Sequence, residues 1–258
     1  MNIQKKQRLS FVAWLLAAIT LGCILFIISW LWYLGRYEGI ATSPNTFSDF
    51  GDKRYFTIDP ETVLVDLDHG KTDVFTPEIA TPENPIFEKP IDWQQSDYLK
   101  IANALNQFVW NETLESWSLY YVNFNTACHN NLKGFGVAEI AYFKTIPYDA
   151  LQKDYTVRAF QITPQYGYVV SSGGANFPQP LFDKWKSVNL NKLRIFAEEA
   201  LKIAEENGGE AARLSVQNQC TINVRLSGSA GWKVFIYADD TGSSIFRMEI
   251  DPYTGKIK

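Results

Sequence analysis

The 258-residue chain carries 28 acidic against 24 basic side chains, a net charge of −4, so it lacks the basic excess of a nucleic-acid-binding surface and no nucleic-acid partner is expected. Two histidines and three cysteines are too few for a multi-histidine zinc site, and no phosphate loop or dinucleotide fingerprint is present, so neither metal nor cofactor is expected. The length suits one large domain or two small ones.

Residues 11–35, FVAWLLAAITLGCILFIISWLWYLG, contain no charged side chain. At about 1.5 Å per residue such a helix would cross a hydrocarbon core of roughly 30 Å. Lys5, Lys6 and Arg8 precede the run, and Trp14, Trp30, Trp32 and Tyr33 stand near its ends. The positive-inside rule and the aromatic-belt rule then predict a signal-anchor: residues 1–10 a cytoplasmic tail, residues 11–35 a single transmembrane helix held by the lipid bilayer, and the remainder extracytoplasmic at the plasma membrane. A cleaved signal peptide fits less well, because the run is long and lacks a small-residue exit. Lipoprotein processing at Cys23 fits poorly too, since ILFIISWLW follows it.

Residues 36–93 hold 12 acidic and 5 basic side chains and six of the eleven prolines. They read as an acidic, proline-rich stalk or wrapping strand. Within it, 62–75 alternates partly and turns near His69-Gly70, which predicts a short hairpin. Asp66, Asp68 and Asp73 do not match a calcium loop, whose spacing would place glycine and glutamate where Lys71 and Pro77 stand.

Two α+β halves are predicted next, 94–175 and 176–258, each a helix followed by antiparallel strands. The first opens on a helix over about 97–110, with Tyr98, Ile101, Ala102, Leu105, Phe108 and Val109 at helical spacing and Ser96 as N-cap. Strands are expected at 117–124, 135–143, 155–162 and 166–170, and Ser171 to Pro180 reads as a loop between the halves. The second half opens on an amphipathic helix, Leu190 to Glu206, ended by Asn207-Gly208-Gly209. Three alternating strands follow: Ile222, Val224 and Leu226 share one face, as do Trp232, Val234 and Ile236, and Phe246, Met248 and Ile250.

The helix, the run Trp232-Lys-Val-Phe-Ile-Tyr and the ending Ile245-Phe-Arg-Met-Glu-Ile-Asp-Pro-Tyr-Thr-Gly-Lys-Ile257 resemble PepSY-type domains over residues 189–258. That resemblance implies a PepSY/cystatin-like half and a non-catalytic, extracytoplasmic module that binds or inhibits peptidases or regulates the cell surface. It transfers no functional residue.

Cys128 and Cys220 are the two cysteines beyond the apolar run. They are candidates for a disulfide tying the halves together, the alternative being two separate buried thiols. Adjacency does not make Cys128-His129 a dyad, since neighbours on a strand face opposite ways. Asn111-Glu-Thr113 fits a glycosylation sequon. No catalytic residue is identified. The aromatic set Trp110, Trp117, Tyr120, Tyr121, Phe124, Tyr142 and Phe143 is either core packing or a surface for a protein or cell-envelope partner. The expected function is a membrane-anchored, non-catalytic binding module, with a cell-surface hydrolase or an accessory subunit of a membrane complex as the alternatives.

Overall fold

A computed structural model describes residues 19–27, 29, 51–79, 81, 82, 84–87, 91–130, 134–147, 153–178, 186–228 and 231–258, without the side chains of 130, 147, 153, 154 and 174–178. The chain divides into two compact units, residues 1–43 and 44–258.

In the first unit residues 19–27 are helical. Among the described residues no helix is long and apolar enough to cross a membrane. The predicted single-pass anchor is corrected accordingly, and the plasma-membrane placement built on it falls with it. Unbroken apolarity is a compositional signal and does not by itself establish a spanning helix. The rest of the predicted span, with the flanking Lys5, Lys6 and Arg8, lies outside the described residues.

The second unit is mostly β, and this also corrects the expectation of two separate helix-and-sheet halves. Nine described strands, β1 (Lys53–Thr57), β2 (Thr76–Glu78), β3 (Ser118–Ala127), β4 (Val137–Pro147), β5 (Lys153–Thr163), β6 (Tyr168–Pro178), β7 (Cys220–Ser227), β8 (Trp232–Ala238) and β9 (Ser244–Ile250), form one sheet. Its order is β2-β1-β6-β5-β4-β3-β7-β8-β9. Every pairing is antiparallel. The halves merge because β3 and β7 pair along their length, from Tyr121 opposite Ser227 to Ala127 opposite Thr221. The segment read as a stalk contributes β1 and β2 to the far edge.

Helices α1 (Val63–Asp68), α2 (Gln95–Trp110), α3 (Ala197–Ala204) and α4 (Glu210–Ser215) accompany the sheet. Alternation on β7 and β8 sends Ile222, Val224, Leu226, Trp232, Val234 and Ile236 into the core. Ile101, Ala102 and Leu105 of α2, and Ala197, Ala200 and Leu201 of α3, complete it. The buried Trp232 indole donates to the Ile195 carbonyl at 2.8 Å, which satisfies its one polar group.

Three local expectations change. The 62–75 hairpin is instead α1, because Val63 and Leu67 share a helical face on the core and Gly70, at φ +75°, ends the helix as Lys71 N–H bonds Asp66 O and Gly70 N–H bonds Leu67 O. Residues 171–178 are strand, paired with β5 up to Asp154 opposite Pro178. The predicted second helix is shorter and kinked, with a π turn at Glu205–Gly209 between α3 and α4. Gly208 takes φ +112° there, and the chain resumes helix because Arg213 Nε and Nη2 clasp Glu205 Oε2 at 2.9 and 2.7 Å across the kink.

Cys128 and Cys220 form a disulfide with Cα atoms 5.3 Å apart, closing 92 residues. The two lie one step beyond the Ala127–Thr221 pair, so the bond locks the end of the β3–β7 seam. Above the sheet a second joint links α2 to α3: fully buried Gln95 accepts the Ala197 N–H at 3.0 Å through Oε1, and its own N–H donates to the Glu198 carboxylate. Each helix start thus receives an acceptor from the other.

Serine at both Cys128 and Cys220 is expected to lower the unfolding free energy by about 4 to 5 kcal/mol on the loop-entropy model. Urea unfolding read by tryptophan fluorescence checks this, and an unchanged midpoint would contradict it. Gln95→Ala leaves a buried helix-end N–H without its acceptor and is expected to cost about 1 to 3 kcal/mol in the same assay.

Candidate functional site

The seven sequence-selected aromatics fall into three places. Phe124 is fully buried, its ring stacked on Phe135 at 4.7 Å and against Tyr98 at 5.6 Å. Tyr121 and Phe143 belong to a second buried cluster on the other face of the sheet, with Tyr155, Val157 and Val170, and Tyr120 packs against it. Trp110, Trp117 and Tyr142 gather on the helical side around Arg158. The structure therefore divides the seven into two groups of three and the core ring of Phe124, and in the Arg158 group Trp117 and Tyr142 are buried while Trp110 is half-buried.

That third group is an alternation of cations and indoles. Arg158 lies opposite Tyr142 on β4 and Gly173 on β6, and its guanidinium carbon sits 4.2 Å from the Trp110 ring centre and 4.9 Å from that of Trp117. Arg54 lies over Trp110 at 5.8 Å and Lys144 over Trp117 at 5.6 Å. Gly173 is the floor: a Cβ there would come within 2.8 Å of both Trp110 Cζ2 and Arg158 Nη1, so a side chain would drive the indole and guanidinium off the strand. Glu112 is bonded to Lys144 Nζ at 3.0 Å, which holds its carboxyl below the usual glutamate range. The Trp117 Nε1–H is buried and makes no hydrogen bond of regular geometry, although it adds to that lowering of Glu112. Burial pulls Arg158 below its ordinary value, Glu112 opposes it, and Arg54 adds a smaller lowering.

A second surface lies on the outward phase of β7, β8 and β9, where the residues between the buried positions are half-exposed. Register sets them out as a grid. Arg225 stands opposite Lys233 and Lys233 opposite Glu249; one row along, Asn223 stands opposite Phe235 and Phe235 opposite Arg247. The Phe235 and Tyr237 rings stack at 5.8 Å and 20°. Arg247 covers Phe235 at 5.5 Å and Arg225 covers Tyr121 at 5.2 Å. Asn223 donates to Asn125 Oδ1 at 2.8 Å, tying the grid to β3. Among the described residues, Arg225, Lys233 and Arg247 have no carboxylate within ion-pair distance. The signal was visible in sequence, since β8 places Phe235 and Tyr237 at positions whose alternation calls for polar side chains.

Other candidates are structural in their contacts. His69 and His129 are exposed at the ends of α1 and β3, and the Cys128 sulfur is committed to its disulfide. Asp66 pairs with Lys71 at 2.7 Å and Asp68 with Lys100, and no metal-holding group of carboxylates, histidines and cysteines occurs among the described residues. Asp251 accepts the Tyr253 and Thr254 N–H groups at 3.0 and 2.9 Å, bonds that lower its pKa and close the turn before Gly255. A cavity of about 450 Å³ beside the π turn is lined by Asp92, Phe135, Glu198, Leu201, Glu205 and Arg213. Among them, Glu205 Oε2 and Arg213 Nη2 pair at 2.7 Å, while Glu205 Oε1 is buried without a hydrogen-bond partner.

No family model, curated protein or solved structure matches the chain.

Because Lys144 holds the Glu112 carboxylate ionised, the pair's stability contribution is complete above the ordinary glutamate pKa of about 4.3 and is lost as pH falls through the lowered folded value. A carboxyl-carbon NMR titration is expected to place the Glu112 midpoint below the ordinary range. Lys144→Met should raise it, and a wild-type midpoint at the ordinary value would contradict the pairing.

Proposed function

We propose that the chain is a non-catalytic binding module that takes an acidic segment of a protein partner on the outward grid of β7, β8 and β9. The observation that carries this reading is Arg225 directly opposite Lys233, in a chain whose overall charge is negative. Like charges opposed across strands are destabilising, and Arg247 adds a third cation beside them with only Glu249 in the grid to offset the three. A partner carboxylate would relieve that repulsion. The stacked Phe235 and Tyr237 rings supply the rigid apolar anchor that, with arginine, dominates interface energies. The C-terminal resemblance to PepSY-type modules supports a binding role as well. The Cys128–Cys220 bond requires an oxidising environment to persist, and the partner is to be sought there.

A photo-crosslinking residue at Tyr237 of the full chain, expressed in its native cells, is expected to capture a protein. Arg225→Glu with Arg247→Glu should reduce capture at least tenfold, since hot-spot losses of about 2 kcal/mol or more are common, and capture should fall with added salt. Equal capture by the charge-reversed variant, or by the same probe at exposed Leu214 on α4, would overturn the reading.

A further inference from the structure

We infer that the Trp110–Arg158–Trp117 cluster is a second binding site, independent of the β7–β9 grid, and that it takes a doubly charged oxyanion, a phosphate or sulfate group, between Arg158, Arg54 and Lys144.

Arg158 stands between the two indoles at the centre of the cluster. Its Nε is buried and has no hydrogen-bond partner, and Nη1 reaches only the Val157 carbonyl at 3.4 Å, which is too long to be a strong bond. Among the described residues, no carboxylate lies within ion-pair distance of it. Two indoles hold the guanidinium, but stacking satisfies its faces and leaves its in-plane donors free.

The neighbours add charge where one would expect them to remove it. Arg54 shares the Trp110 ring, and Lys144 shares the Trp117 ring. Glu112 is the nearby carboxylate, and it is held by Lys144. Three cations against one anion leave the cluster at +2, which matches a phosphate or sulfate dianion. Register adds a further donor. Ser171 stands opposite Arg54 on one side and Phe160 on the other, one row from Arg158, and its fully buried hydroxyl has no partner. The Trp117 Nε1–H acts on Glu112 without a hydrogen bond of regular geometry. Unpartnered buried donors are uncommon in folded proteins, and such donors on and beside one uncompensated guanidinium fit an anion site better than a packing accident.

The site is built to be rigid. Gly173 lets Trp110 and Arg158 sit directly on β6, and Arg158 and Lys144 both project from paired central strands. A fixed guanidinium loses little freedom when it binds an oxyanion. The rim of the cluster is open to solvent, since Lys144 and Glu112 keep 42% and 36% of their side-chain surface and Arg54 is exposed, while Arg158 Nε and the Ser171 hydroxyl lie buried beneath it.

Titration of the full chain with inorganic phosphate, sulfate and acetate at low ionic strength, read by tryptophan fluorescence and calorimetry, tests this. Phosphate and sulfate should bind saturably and acetate at least tenfold more weakly. A response to phosphate and not to sulfate would assign the site to phosphoryl groups, and the reverse to sulfuryl groups. Arg54→Ala, at an exposed position, should weaken binding about tenfold, and Glu112→Gln should tighten it by removing the competing carboxylate. Arg225→Glu with Arg247→Glu should leave the affinity unchanged, so failure here is distinct from failure of the grid to bind protein. No saturable response to either dianion, acetate binding as tight as theirs, or a wild-type affinity in both Arg54→Ala and Glu112→Gln would overturn the inference.

Discussion

The pairing of β3 with β7 is the constraint on which the domain depends. Every other neighbouring pair joins strands of the same stretch of chain, 53–178 or 220–250, whereas this one joins the two. Without it the C-terminal meander would expose an edge, and the large apolar face over which α2 and α3 lie would split. The chain secures the seam by three chemically different means. Ladder hydrogen bonds run along it, the Cys128–Cys220 bond closes one end, and the exchange between Gln95 and the start of α3 ties the helices that cover it. The asparagine contacts from Asn223 to Asn123 and Asn125 add side-chain bonds on the opposite face.

A single continuous sheet also explains where charge can accumulate. On the helical side the strands bury Ile, Val, Leu and Trp, so a cation there needs a special setting, and Arg158 is kept by two indoles where an ion pair would be the usual device. A guanidinium is the group for such a place, being weakly hydrated and flat enough to stack. On the outward side of β7–β9 the strands are half-exposed, and aromatic and cationic side chains alternate by register. The two cationic surfaces therefore arise from different rules, one from stacking over a glycine floor and the other from cross-strand order.

Much of this was legible wherever one period dominated. Ile222, Val224 and Leu226, and Trp232, Val234 and Ile236, announced β7 and β8 through alternation. The 3.6 period of Tyr98, Ile101, Leu105 and their neighbours announced α2. The cysteine pair was visible as a pair, but its position at the end of a ladder was not, because partner strands are chosen by tertiary pairing that local periodicity does not encode. Glycine misled at two sites for one reason. Gly173 was read as a break, and it is a close approach within a strand; Gly208 was read as a stop, and it is a kink that an Arg–Glu pair carries the helix across. In each case the residue relaxes a backbone or steric limit, and distant partners decide to what use that freedom is put.

The apolar run at the N-terminus and the acidic, proline-rich segment after it are the places where composition says most about environment and least about shape. Residues 53–57 and 76–78 join the sheet in spite of the prolines around them: β1 contains no proline and pairs on both sides, and β2, which contains Pro77, is an edge strand that needs hydrogen bonds on one side only. Pro77 sits in β2, the outermost strand, where a missing N–H costs little. Once those strands are in place, β1 delivers Arg54 to the Trp110 ring, so the segment that looked least structured supplies one of the three cations around Arg158. Sequence distance concealed that convergence: residues 54, 110, 117, 144 and 158 share no local pattern, and only the order β1-β6-β5-β4 brings the strand-borne ones to one face.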